Sequence, residues 1–321
     1  YNAVVMNLSF GITALRGFRA RLSQRGRWFS QHLNIGLQHY LAYVRLVRLH
    51  QPVGIWLLLW PTLWALWIAG EGRPEQRIFI IFVLGTVILR SAGCIINDYA
   101  DRKIDPHIKR TRDRPLATGE VKVGEAIILF VGLMLIGFGL VLTMNRLTQG
   151  LAVIGALITI IYPFSKRFIS FPQFVLGIAF AWGVPMAFAA QSGAVPRVGW
   201  LLFVTTIIWG VVYDTEYAMA DRDEDLKIGA RSIAILFGDL DRIFVGALQL
   251  MFLGGLLLVG QSAGLGPWFL VGVGAAAMMF VFQQHLIRDR DSVRCFLAFR
   301  NNATVGMCVF IGIMLDYLFR A

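Results

Sequence analysis

The residues best suited to chemistry in this 321-residue chain are acidic, and they are bunched: of 19 acidic residues, six fall in 98–125 and six in 214–225. The first group reads Asn97-Asp98-Tyr99-Ala100-Asp101-Arg102-Lys103-Ile104-Asp105, in which Asn97, Asp101 and Asp105 recur at every fourth residue. In the second, Asp214-Thr215-Glu216-Tyr217-Ala218-Met219-Ala220-Asp221-Arg222-Asp223-Glu224-Asp225, the positions Tyr217, Asp221 and Asp225 repeat that spacing. A period of four places side chains on one face of a helix. Carboxylates stacked this way repel each other unless cations sit between them. Hard oxygen ligands that leave part of an ion's hydration in place suit Mg²⁺, which commonly takes further oxygens from a substrate phosphate. Two such faces, about 120 residues apart, suggest a diphosphate bridged by metal.

Cations follow each acidic group. Lys109-Arg110-Thr111-Arg112-Asp113-Arg114 lies after the first and Lys227-Ile228-Gly229-Ala230-Arg231-Ser232 after the second, while Lys166 and Arg167 follow Tyr162-Pro163-Phe164-Ser165. Arg48 precedes the first apolar run. These groups either neutralise a diphosphate leaving group or only fix the orientation of the chain in a membrane. Arg90 stands apart, seven residues before Asn97 and so two helical turns deeper on the same face. A buried guanidinium requires a partner. That partner is either a carboxylate of the protein or an anionic group of a substrate, for which a bidentate carboxylate is the natural match.

The elements that position these residues belong in a bilayer. The chain is 57% hydrophobic and 15% charged, and its mean hydropathy is +0.66, which excludes a soluble cytosolic enzyme and a disordered chain. Apolar segments predict nine membrane-spanning helices, at 52–70, 78–97, 124–143, 147–163, 173–190, 198–217, 243–261, 267–286 and 302–319. With the N-terminus in the cytoplasm, alternate loops carry 24 basic residues on that side against five on the other, and Arg90 alone lies within a span. The net charge of +11 therefore reads as positive-inside orientation and phosphate binding, with membrane lipid and phosphorylated ligands as partners and no nucleic acid. Cys94, Cys295 and Cys308 lack metal-ligand spacing and read as packing residues. Residues 1–40 form a basic extension ahead of the membrane domain at 41–321 and read as a surface helix, an upstream extension or a mitochondrial transit segment.

On these residues the chain resembles the UbiA family of intramembrane aromatic prenyltransferases. NDYADRKID at 97–105 is similar to that family's NDxxDxxxD motif, and YDTEYAMADRDEDLKIGARSIAILFG at 213–238 to its second acidic motif. The segments LLLWPTLWALW, RPLATG, YPFSKR and PMAFAA resemble the branch whose acceptor is 4-hydroxybenzoate in ubiquinone synthesis. The resemblance covers about residues 40–321. It implies an all-α bundle of nine transmembrane helices around a central cavity, opening sideways to lipid for a long prenyl chain. It further implies Mg²⁺-dependent transfer of the chain from a polyprenyl diphosphate to the ring carbon ortho to the acceptor's hydroxyl, in a bacterial inner membrane or a mitochondrial one. Asn97, Asp101, Asp105, Asp221 and Asp225 would hold metal and diphosphate, supported by Asp98 and Asp214. Lys166 and Arg167 would bind diphosphate, helped by Arg48 and Tyr217, and Arg90 would hold the acceptor's carboxylate. The other readings are a family member with a different acceptor and, outside the enzymes, a membrane transporter.

Overall fold

Long apolar stretches can enter a bilayer only with their backbone groups satisfied internally, and this chain answers with helices. The computed structural model describes residues 38–165, 171–229 and 232–320, and no strand occurs among them. A helix over 38–46, α1, leads into α2 (Val53–Ala69), α3 (Gln76–Asp101), the single-turn α4 (Pro115–Thr118), α5 (Val123–Leu142) and α6 (Arg146–Ser165). There follow α7 (Pro172–Ala181), α8 (Gly183–Ser192), α9 (Arg197–Ile228), the short α10 (Ile233–Phe237), α11 (Asp241–Ala263), α12 (Pro267–Leu286) and α13 (Ser292–Leu318). Residues 1–37, most of the basic extension, lie outside the described residues.

All nine expected spans form helical segments, so the protein is a multi-pass membrane protein. Among the described residues, eight segments are long and apolar enough to cross a bilayer. The ninth, α2, has 17 residues and spans roughly 26 Å, slightly less than the hydrocarbon core. The expected span at 173–190 is two helices, α7 and α8, meeting at Trp182. Pro185 supplies the cause, since its ring clashes with the carbonyl four residues earlier and it donates no hydrogen bond to the ladder. Conversely, α9 does not stop at 217 but continues through the acidic motif to Ile228, where Gly229 closes it in the left-handed conformation, φ 68°.

The core is aromatic. Trp64 of α2 packs on Trp209 of α9, whose ring stacks on Phe252 of α11. Their polar edges are satisfied, with Trp64 Nε1 donating to the Gly306 carbonyl at 3.1 Å and Trp209 Nε1 to Asn302 Oδ1 at 2.9 Å. Helices approach most closely at paired glycines: a Cβ on Gly210 of α9 would lie 2.7 Å from the Cα of Gly177 on α7, so neither position tolerates a side chain. At the other extreme, α5 buries only Ala126 and turns Ile128, Leu135, Ile136 and Phe138 outward, as a lipid-facing helix must.

Candidate active site

The first acidic motif is carried to the very end of α3. Asn97, Asp98 and Asp101 lie on that helix, but it stops at Asp101, and Asp105 begins a separate 3-10 turn, Asp105–His107. The expected stack of Asn97, Asp101 and Asp105 on one helical face is thus corrected. Pro106 disfavours helical geometry at Asp105 and cannot continue the hydrogen-bond ladder. The turn folds Asp105 back into the protein, where it is buried beside Asp98, and arginines separate the two carboxylates. Arg114 Nη1 lies 2.9 Å from Asp105 Oδ2 and 3.2 Å from Asp98 Oδ1, and Arg48 pairs with the same Asp98 oxygen. Burial pushes the Asp105 carboxyl up from its ordinary value, although Arg114 opposes the shift. Burial, the largest influence on Arg48, works against its charge, but Asp98 together with neighbouring groups that include Asp105 outweighs it and holds the guanidinium's pKa above the usual value. Arg48 has φ 56°, a left-handed conformation that costs a non-glycine residue about 1–3 kcal/mol. The pairing with Asp98 ties this strained corner between α1 and α2 to the first motif.

The second motif keeps its expected geometry, because Tyr217, Asp221 and Asp225 all lie within the continuous α9. It is joined to the first by Arg110, in the loop that follows Asp105. That guanidinium grips both oxygens of Asp221, with Nε donating at 2.8 Å, and lies over the Tyr217 ring at 4.4 Å from its centroid. Two motifs distant in sequence therefore share one end of the bundle.

Deeper in, Tyr162 of α6 lies within electrostatic reach of Asp101, Asp214, Tyr217 and Arg90, and Tyr213 within reach of Asp214 and Arg90. The guanidinium of Arg90 makes no hydrogen bond or ion pair with a carboxylate among the described residues. It is placed over the ring of Phe180, 5.6 Å from the centroid, and against the backbone of α2 at Gly54. Lys166, Arg167 and Arg231 lie outside the described residues. Beyond Arg90, away from the acidic end and reaching the α5–α6 turn at Met144, an apolar cavity of about 300 Å³ runs between α3, α5 and α6, lined by Phe82, Gly85, Thr86 and Leu89 of α3 and by Trp182.

No group of three or more His, Cys, Asp or Glu side chains is assembled closely enough to hold a metal ion among the described residues. Instead arginines occupy Asp98, Asp105 and Asp221 and take over the screening of their charge. The donor set, carboxylates from two motifs at one end of a bundle, has the hard-oxygen chemistry of a divalent-cation site.

One buried carboxylate was not singled out by spacing. Glu216 is fully buried on α9, between Asp214 and Tyr217, and accepts from Asn302 Nδ2 at 2.7 Å and Gln249 Nε2 at 3.4 Å. Gln249 in turn bonds Gln283 and Gln284, and Gln283 bonds Asn301, so α9, α11, α12 and α13 are laced by one amide network. The signal available in the sequence was the run of amide residues inside otherwise apolar helices.

Comparison with known proteins agrees with this architecture. The sequence model of the UbiA prenyltransferase family matches residues 58–310. The chain is 54% identical over 278 residues to the 4-hydroxybenzoate octaprenyltransferase of Aeromonas salmonicida, covering 87% of this chain and 96% of that protein. A UbiA homolog from Aeropyrum pernix superposes with a TM-score of 0.70 at 25% identity, covering 81% of this chain and 97% of the other. A UbiA homolog from Archaeoglobus fulgidus, solved with GPP and Mg²⁺, superposes with a TM-score of 0.64 at 14% identity, covering 86% and 99%.

Proposed function

The chain belongs to the UbiA prenyltransferase family, and from that premise we propose that it transfers a polyprenyl chain from its diphosphate to the carbon ortho to the hydroxyl of 4-hydroxybenzoate, as a step of ubiquinone synthesis. The observation that carries this reading is that Arg110, from the loop after the first motif, grips Asp221 of the second, so that both acidic motifs meet at one end of the bundle, with Arg90 deeper along α3 and, beyond it, the apolar cavity that begins at Leu89. An anionic diphosphate, a carboxylate-bearing ring and a hydrocarbon chain each have a matching surface there.

In this mechanism Asn97, Asp98, Asp101, Asp105, Asp214, Asp221 and Asp225 are the groups available to Mg²⁺ and the diphosphate. The metal, when bound, withdraws electron density from the diphosphate and so weakens the allylic carbon–oxygen bond. Arg48, Arg110 and Arg114, with Lys166 and Arg167, neutralise charge as it builds on the departing diphosphate. Arg90 holds the acceptor's carboxylate and thereby presents the ortho carbon to the allylic cation, an orientation effect. The apolar cavity beyond Arg90 keeps water from quenching that cation. A carboxylate of the site or the diphosphate itself takes the ring proton, restoring aromaticity.

The bacterial relative and the positive-inside pattern support a cytoplasmic membrane with the N-terminus and the polar end of the site facing the cytoplasm. The test is an assay of purified protein with 4-hydroxybenzoate, Mg²⁺ and prenyl diphosphates of several lengths. Formation of a 3-prenyl-4-hydroxybenzoate is the expected result, and no prenylated product with any donor overturns the acceptor assignment.

A further inference from the structure

Gly54 is buried in the first turn of α2, and its φ is not positive, so its backbone does not require glycine. Glycine is also a poorer helix former than alanine. The reason for it lies across the helix interface. A Cβ built on Gly54 would stand 2.7 Å from Cζ of Arg90 and closer still to Nε and Nη2. The same guanidinium lies over the Phe180 ring, 5.6 Å from its centroid. Arg90 therefore rests in a slot whose floor is bare backbone.

The geometry points to Gly54 as a positioning residue that sets the depth of Arg90 and, through it, selects the acceptor. A methyl group here would displace only the end of a flexible side chain, so the fold survives while the guanidinium retreats by about 1 Å to regain the ~3.5–4.0 Å separation of atoms in contact. A shift of that size costs up to about 100-fold where a substrate must be aligned for reaction. This role for Gly54 rests on Arg90 binding the acceptor's carboxylate, as proposed above.

The experiment compares wild type, Gly54→Ala, Arg90→Ala and the double variant, with separate KM values for 4-hydroxybenzoate and for geranyl diphosphate. Gly54→Ala is expected to raise the acceptor KM about 10- to 100-fold while the donor KM stays within about twofold. In the double variant the acceptor KM should equal that of Arg90→Ala, because the methyl group then has no guanidinium to move. An unchanged acceptor KM in Gly54→Ala, beside a raised one in Arg90→Ala, overturns the role of Gly54 and leaves the reading of Arg90 standing. An unchanged acceptor KM in Arg90→Ala overturns that reading and the role of Gly54 with it. Should Gly54→Ala not fold, the double variant decides: a folded protein behaving as Arg90→Ala supports the slot, and an unfolded one shows that Gly54 serves helix packing instead.

Discussion

Arg110 holds both carboxylate oxygens of Asp221, so the loop after the first acidic motif is fastened to the helix that carries the second. The same oxygens are needed for Mg²⁺ in the mechanism above, which makes this ion pair a competitor of the metal. Arg110→Ala is therefore expected to lower the Mg²⁺ concentration giving half-maximal rate, while the KM for prenyl diphosphate rises about tenfold or more for loss of a charge-assisted contact. Rates measured across a Mg²⁺ titration at several donor concentrations separate the two effects. A half-maximal Mg²⁺ concentration that stays put shows that the pair does not compete with the ion.

Removal of divalent metal should stop turnover. Chelator-treated membranes are expected to regain activity on addition of Mg²⁺, and full prenyl transfer in chelator contradicts the assignment of both acidic motifs. Asp101→Ala and Asp221→Ala should each abolish product formation while leaving a folded, membrane-inserted protein. Substantial activity in either variant takes that motif out of the site.

For Arg90→Ala the expected change is confined to one substrate. Loss of a buried charge-assisted pair costs about 2–5 kcal/mol, or on the order of 30-fold to several thousand-fold in acceptor KM, with the donor KM little altered. If the donor KM deteriorates instead, the guanidinium serves the diphosphate.

Glu216 should matter through stability. Glu216→Gln keeps a hydrogen-bonding oxygen for Asn302 and is expected to melt near wild type in detergent. Asn302→Leu leaves the buried Glu216 oxygen and the Trp209 N–H without their partner, at about 1–3 kcal/mol for each unsatisfied group, and should lower the melting temperature by several degrees. Equal melting temperatures for wild type and Asn302→Leu contradict a structural role for the network.

Much of this was legible in the sequence, and the failures have local causes. Hydropathy located the nine helical segments because bilayer thickness dictates their length, and the break at Trp182, which leaves hydrophobicity unchanged, was legible only from Pro185, a proline that marks a start, kink or end of a span. A spacing of four identified the face of Tyr217, Asp221 and Asp225 correctly. It misplaced Asp105, where one proline outweighs the periodic pattern. Arg90 stood out as the sole cation inside an apolar span. The slot at Gly54 could not be read, because it depends on which residues of α2 and α3 face each other, and that is fixed by packing of the whole bundle.

The nearly bare α5 has a consequence for how the enzyme is supplied. With one wall of the cavity formed by a helix that belongs as much to lipid as to protein, the expected route of a hydrophobic donor is lateral diffusion within the leaflet. The prenyl chain has then exchanged its diphosphate for a ring with a single carboxylate, and the expected exit of this less polar product is along the same plane. Turnover is then governed by the surface density of donor in the membrane, and diluting the bilayer with inert lipid at fixed bulk concentrations slows the reaction.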